Sequence, residues 1–152
     1  MTWLAAVRPD EQNLPLFVHV LGAMLLVGGL VTGASLLATA RGSVRQLRLG
    51  YWTLLAVALP AYAVMRTGAH WIEDEAGFTA EGAAEPTWLE IGYMVADLGA
   101  LLLLITLVVG GVGVYRLRDG KGQGLLKAAM VISLLILAAA LVAIWAMAGQ
   151  PE

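Results

Sequence analysis

The sequence contains no cysteine and few charged residues. The absence of cysteine excludes disulfides, thiolate metal ligands and cysteine nucleophiles. Only 13% of the 152 residues are charged, whereas soluble domains carry about 25%, and the mean hydropathy is +0.81. A net charge of −2 gives no reason to expect a nucleic-acid partner. A chain with so little polar surface is expected to face lipid rather than water.

Four long apolar runs account for most of the chain. They are Leu14–Ala40, Leu49–Trp71, Ile91–Tyr115 and Ala128–Ala148. Each reaches the ~20 residues that a helix needs to cross a bilayer, and backbone in lipid must satisfy its own hydrogen bonds. The sequence therefore predicts an all-α integral membrane four-helix bundle, one domain over residues 1–152. The predicted helices cover about 14–40, 49–71, 89–115 and 125–148, with an acidic outer loop over 72–87 and a bend at Pro60.

A short internal similarity suggests how the bundle is organised. Leu21–Leu26 (LGAMLL) resembles Leu98–Leu103 (LGALLL), and at the same offset Gly33 aligns with Gly110. Both helices are expected to run in the same direction, so the similarity would describe a parallel repeat of two helical hairpins. Leucine-rich helices also align by chance, and the sequence leaves both interpretations open.

The loop charges predict an orientation. The two short loops are basic, whereas the long loop between the second and third helices is acidic; the basic residues are Arg41, Arg45, Arg48, Arg116, Arg118, Lys121 and Lys127, and the acids are Glu73, Asp74, Glu75, Glu81 and Glu85. Basic loops stay in the cytoplasm, so both termini are predicted to be extracytoplasmic in a bacterial cytoplasmic membrane. Aromatic residues near both ends agree; they are Trp3, Trp71, Trp88 and Trp145 outside and Tyr51, Trp52 and Tyr115 inside.

All ionisable residues expected within the membrane lie in its outer half. Arg66 and Asp97 interrupt the second and third helices, and His19 and His70 lie near the outer ends of the first and second. Such residues are costly in lipid and usually pair within a bundle, so Arg66 and Asp97 are the candidate ion pair. Two plainer interpretations are that the pair only sets helix register, or that Arg66 extends to the surface.

The two histidines are the candidate cofactor ligands. Imidazole is an axial ligand of haem, and two on neighbouring helices would hold haem b, with Arg66 beside a propionate and Gly22 leaving room for the macrocycle. Alternatively, His70, Glu73 and Asp74 share a helical face and would bind copper or zinc. The third interpretation is that both histidines only contribute to packing or to the interface. Gly22 is also explained by packing, as are Gly29 and Gly33, whose GxxxG spacing lets helices approach closely.

The segment His19-Val-Leu-Gly22, followed by Gly28-Gly29, resembles the first helix of copper-resistance-protein-D-like bacterial membrane proteins and their small four-helix relatives. The resemblance covers mainly the first helix and the general layout. It implies a bacterial inner-membrane protein linked to copper or haem, with His19 as the position carried over. This chain departs from the larger proteins in having four predicted helices and no methionine- or histidine-rich cluster.

Three classes of function are compatible with these observations. The first is a small membrane protein that binds haem b, or less readily a metal ion, near the outer face through His19 and His70. The second is a non-enzymatic accessory or assembly subunit whose polar residues serve packing, and the third is proton or ion transport. Besides the bilayer, a second copy of the chain or a larger membrane complex is the candidate partner. No phosphate loop, H-E-x-x-H helix or nucleophile with an adjacent base indicates an enzyme.

Overall fold

A computed structural model describes residues 10–76 and 87–149 of the chain. Its elements are α1 (Asp10–Thr39), α2 (Val44–Thr53), a π-helical turn (Leu54–Ala58), α3 (Leu59–Ala76), α4 (Thr87–Arg116), a 3₁₀ turn (Leu117–Asp119) and α5 (Gln123–Gly149). The second span is continuous, because α2, the π-helical turn and α3 follow one another without a break. Within these described ranges, four spans are long and apolar enough to cross a bilayer. The predicted all-α four-helix bundle is therefore confirmed, and the chain is a multi-pass membrane protein.

Several helix boundaries lie beyond the apolar runs. The first helix begins at Asp10 instead of Leu14, and the second span begins at Val44 instead of Leu49. Helix α3 continues to Ala76, so the first five residues of the predicted loop 72–87 are helical. Charged residues end the hydrocarbon span but not the helix, because the backbone bonds of a helix remain satisfied in the headgroup region. Trp3, Glu81 and Glu85 lie outside the described residues.

The two ends of the bundle differ in charge, and we name them by that difference. The acidic side carries Glu73, Asp74 and Glu75, and the basic side carries the α1–α2 and α4–α5 loops. On the basic side, the Ser43 hydroxyl caps α2 by accepting the Gln46 N–H at 3.4 Å. Gly120 follows the 3₁₀ turn with a φ of 69°, the left-handed conformation that glycine adopts without steric cost. Short, capped turns thus join neighbouring spans on the basic side.

The spans pack unequally. The closest neighbours are α1 with α3 and α4 with α5, and α1 also packs against α2 and α5, whereas α3 and α4 touch at few points. The buried centre contains Leu30, Leu54, Leu103 and Leu126. Large apolar side chains cover the outside; among them are Met24, Val108, Leu135 and Trp145. A surface this apolar is suited to lipid and would aggregate in water.

Glycines bring α1 close to the second span. A Cβ on Gly29 would lie 3.0 Å from the Ala58 nitrogen, and one on Gly33 would lie 2.7 Å from Leu54 Cγ. These distances are tighter than ordinary van der Waals contacts, so a side chain at either position would require its neighbour to move. The GxxxG pair therefore packs one helix against another, the use for which this spacing is best known.

The π-helical turn lies immediately before Pro60. The N–H of Leu59 bonds to the Leu54 carbonyl, five residues back, instead of to the residue four back. Proline has no N–H, and its ring collides with the carbonyl four residues earlier in a regular α-helix. A local widening of the helix relieves that collision, and single π turns of this kind are a recognised cause of helix bending.

Candidate functional site: a cavity on the acidic side

A cavity of about 550 Å³ lies among all four spans on the acidic side of the bundle. Its volume falls within the roughly 300–1,000 Å³ typical of pockets that hold small ligands and cofactors. Most of its lining is apolar, and polar groups enter from three helices: His19 from α1, Tyr62, Arg66 and Glu73 from α3, and Tyr93 from α4. It extends toward the seam where α3 and α4 scarcely touch.

Small residues on α4 and α5 create this space. Gly92, Ala96 and Gly99 follow one face of α4 at spacings of four and three, and Ala140 and Ala143 face them from α5. A Cβ built on Gly99 would meet nothing within 4 Å. The cavity is not among the features predicted from the sequence, although the spacing of Gly92, Ala96 and Gly99 is a sign that could have revealed it.

His19 is held in a defined orientation at the cavity wall. The ring is half-buried, and its Nδ1 lies 3.0 Å from the Met65 carbonyl oxygen. A carbonyl only accepts hydrogen bonds, so Nδ1 carries a proton and donates it, and in the neutral imidazole the lone pair is then on Nε2. An imidazole that donates one N–H to a backbone carbonyl and keeps the other nitrogen available is the usual arrangement of a histidine metal ligand.

Gly68, which the sequence analysis did not single out, explains how His19 comes so close to α3. A Cβ at residue 68 would lie 2.7 Å from the Cα of His19. Any larger residue would push α1 away and lengthen the hydrogen bond from the imidazole to Met65. Gly68 is therefore part of the structure that positions His19.

Four polar residues join α3 to α4 across the seam, and we call them the α3–α4 clasp: Tyr62, Arg66, Tyr93 and Asp97. Arg66 Nη2 donates to Asp97 Oδ1 at 2.8 Å, so the two residues paired in the sequence analysis are in contact. The guanidinium carbon of Arg66 also lies 5.0 Å from the centre of the Tyr93 ring. The Tyr62 hydroxyl donates to the Ala96 carbonyl oxygen at 3.1 Å.

The structure does not bring His70 to the cavity. Its side chain is 56% exposed, its Nδ1 lies 3.3 Å from Glu73 Oε2, and its ring stacks on Tyr93 with centroids 6.4 Å apart. His70 follows Met65, the residue that His19 contacts, by five positions along the helix. At about 100° per residue, this offset places the two residues about 140° apart around α3. The two imidazoles therefore lie on different faces of that helix, and only His19 lines the cavity.

The structure also shows the surroundings of Gly22 and of the alternative metal site at His70, Glu73 and Asp74. Gly22 is buried against α3, where a Cβ would lie 2.6 Å from Met65 Cα, and it does not line the cavity. Its lack of a side chain serves helix packing and does not make room for a macrocycle. Within residues 10–76 and 87–149, no group of three histidines or carboxylates could hold a metal ion, and His70 contacts Glu73 without Asp74.

These features define a class: a four-span membrane protein with a ligand-sized cavity among its helices on the acidic side and an oriented histidine in the wall. No protein-family model matches the chain, and neither a curated protein nor a solved structure does. Function is therefore inferred from the cavity and its side chains.

Proposed function

We propose that this protein binds haem b in the acidic-side cavity, with Nε2 of His19 as the iron ligand. The observation that carries the proposal is the His19 hydrogen bond to the Met65 carbonyl, because it selects the neutral tautomer whose lone pair is on Nε2, in a side chain that lines a cavity of about 550 Å³. In this proposal the acidic side faces away from the cytoplasm of a bacterial cell, as the basic loops predict.

The remaining lining suits an amphipathic cofactor. The apolar small residues of α4 and α5 offer a surface for a flat hydrocarbon ring, and Arg66 offers positive charge. A guanidinium has five N–H donors, and the contact with Asp97 engages only one nitrogen. Arg66 therefore keeps donors for a propionate while Asp97 and Tyr93 hold it in place.

Bound haem would supply one-electron redox chemistry or ligand binding at iron. The chain's own contribution is binding and electrostatics. His19 is oriented by Met65 and Gly68, the apolar walls exclude water, and the Arg66 charge favours anionic groups on the cofactor. His70 has no part in ligation in this proposal, which replaces the pair of axial histidines by a single one.

The proposal is tested by titrating haem into the purified protein in detergent and recording absorption spectra, oxidised and reduced. Wild type is expected to give a Soret band that shifts on reduction. His19→Ala should bind haem at least about tenfold more weakly and with an altered spectrum, because it lacks the iron ligand. His70→Ala should match wild type. A wild type that takes up no haem, or equal binding by His19→Ala, would contradict the proposal.

A matched pair of glycine variants tests the location. Gly99 lines the cavity and Gly28 faces lipid, and a Cβ at either position meets nothing within 4 Å. Gly99→Leu should fill the cavity and block binding, whereas Gly28→Leu should leave it unchanged. Equal effects of the two variants would argue that haem partitions into the detergent or binds elsewhere. Loss of colour in both histidine variants would restore the two-ligand hypothesis.

A further inference from the structure

A second cavity, of about 410 Å³, lies at the opposite end of the bundle. Its wall is formed by the last turn of α1, the α1–α2 loop, the first turns of α2 and the start of α5. We call it the basic-side cavity. It shares no residue with the acidic-side cavity, so a ligand bound there would be independent of the proposed function.

The basic-side cavity is positively charged and has no opposing acid. Arg41 and Lys127 line it together with Gln123, and no aspartate or glutamate does. Both cationic side chains are exposed, and among the described residues neither one makes an ion pair or a hydrogen bond. Arg45 and Arg48 on α2 are also exposed and have no ion pair among the described residues, so what distinguishes Arg41 and Lys127 is that both line one cavity. Two cations in the wall of one cavity that has no acid in its lining favour an anionic ligand.

Helix ends contribute less than the side-chain charges. Helix α2 begins at Val44 and α5 at Gln123, so two amino ends lie at this side, but α1 ends at Thr39 in the same wall. Amino ends favour negative charge and carboxyl ends disfavour it, so these contributions oppose each other. The positive charge of the cavity therefore comes from Arg41 and Lys127.

The rest of the wall is apolar and belongs to membrane spans. Leu37, Ala38 and Leu47 line the cavity beside the two cations. Trp52 and Tyr115 are 54% and 68% exposed near the same end, where amphipathic rings mark the headgroup level of a bilayer. Basic pockets between spans at this level are suited to anionic lipid headgroups. We propose that the basic-side cavity binds the phosphate of an anionic phospholipid, with Arg41 and Lys127 on the phosphate and the acyl chains along the apolar wall.

The test is native mass spectrometry of the detergent-purified chain with added phosphatidylglycerol or phosphatidylcholine. Wild type should retain phosphatidylglycerol at least about tenfold more strongly. The double variant Arg41→Gln/Lys127→Gln should lose that preference. The matched control Arg45→Gln/Arg48→Gln removes two exposed charges from α2 that do not line the cavity, and it should keep the preference. All four substituted side chains are exposed, so circular dichroism should show unchanged helix content.

Three outcomes would overturn the proposal. Wild type without a preference for the anionic lipid would show that the cavity does not select phosphate. Equal loss in both double variants would assign the preference to the basic surface as a whole. Inorganic phosphate at millimolar concentration that displaces the lipid and binds alone with similar strength would identify a site for soluble phosphate and not for lipid.

Discussion

The glycines of α1 show how much a single missing side chain determines in this bundle. Gly22, Gly28 and Gly29 lie within two turns of one another but meet different surroundings. Gly22 contacts the Met65 backbone, Gly29 contacts the Ala58 backbone, and Gly28 faces lipid. A methyl group against backbone has nowhere to go, because backbone cannot change rotamer to make room. The three positions should therefore respond differently to the same substitution.

We expect Gly22→Ala to destabilise the protein by roughly 1–3 kcal/mol, the usual cost of overpacking. Gly29→Ala should cost less, because its new Cβ would start 3.0 Å from the Ala58 nitrogen and a small shift could accommodate it. Gly28→Ala meets nothing and should be neutral or stabilising by up to about 0.5–1 kcal/mol, since alanine loses less backbone entropy in a helix. Unfolding in mixed detergent micelles measures all three free energies. Equal values for Gly22→Ala and Gly28→Ala would disprove the assigned packing.

At the scale of helices, the sequence analysis was most successful where the physics is local. Four apolar runs of sufficient length predict four spans. Arg66 and Asp97 are isolated charges within two of these runs, and their ion pair could be predicted for that reason. It was less successful where a contact depends on how helices cross. His19 and His70 occupy similar depths, but depth does not determine the helix face, and the crossing of α1 and α3 at Gly68 directs His19 toward Met65. The cavity was missed because it depends on small residues on two helices that face each other only in the bundle.

The α3–α4 clasp is the element on which the seam depends, because the two helices otherwise touch at few points. Arg66 and Asp97 are the only charged pair across it among the described residues. The Asp97 side chain is 67% exposed, but it lies within an apolar span whose surroundings are lipid and not water. We therefore expect Asp97→Asn to destabilise the fold by about 1.5–3 kcal/mol, the range for hydrogen bonds to charged groups. Arg66→Gln should show a similar loss. The double variant should lose less than the sum, with a coupling energy of about 1 kcal/mol or more.

The matched control cycle uses His70→Ala and Glu73→Ala, whose contact of 3.3 Å lies within α3 and does not cross the seam. Exposed pairs of this kind couple by about 0–1 kcal/mol, so its cycle should be close to additive. Unfolding free energies in mixed micelles supply both cycles. Additive effects at Arg66 and Asp97 would mean that the ion pair does not hold α3 to α4, and the apolar contacts of α1 and α5 would then carry the seam.

Over the whole molecule, the histidines and the charged residues are divided between the two ends of the bundle. The acidic side holds both histidines and both members of the intramembrane ion pair, and the basic side holds those cations of residues 10–76 and 87–149 that have no ion pair. Between them the described core is apolar except for Thr106 and Ser133, which bond to carbonyls of their own helices. The described residues of a single chain thus offer no continuous polar path from one side to the other.

The same division predicts the orientation of the chain in its membrane, and the lack of cysteine makes the test direct. Asp74→Cys on the acidic side and Gln123→Cys on the basic side would each introduce the only thiol, at an exposed position. Because arginine and lysine are retained in the cytoplasm, an impermeant maleimide should label Asp74→Cys on intact cells and Gln123→Cys only after lysis. The reverse pattern would place the His19 cavity toward the cytoplasm. Any partner that exchanges electrons or ligand with that cavity would then have to be sought inside the cell.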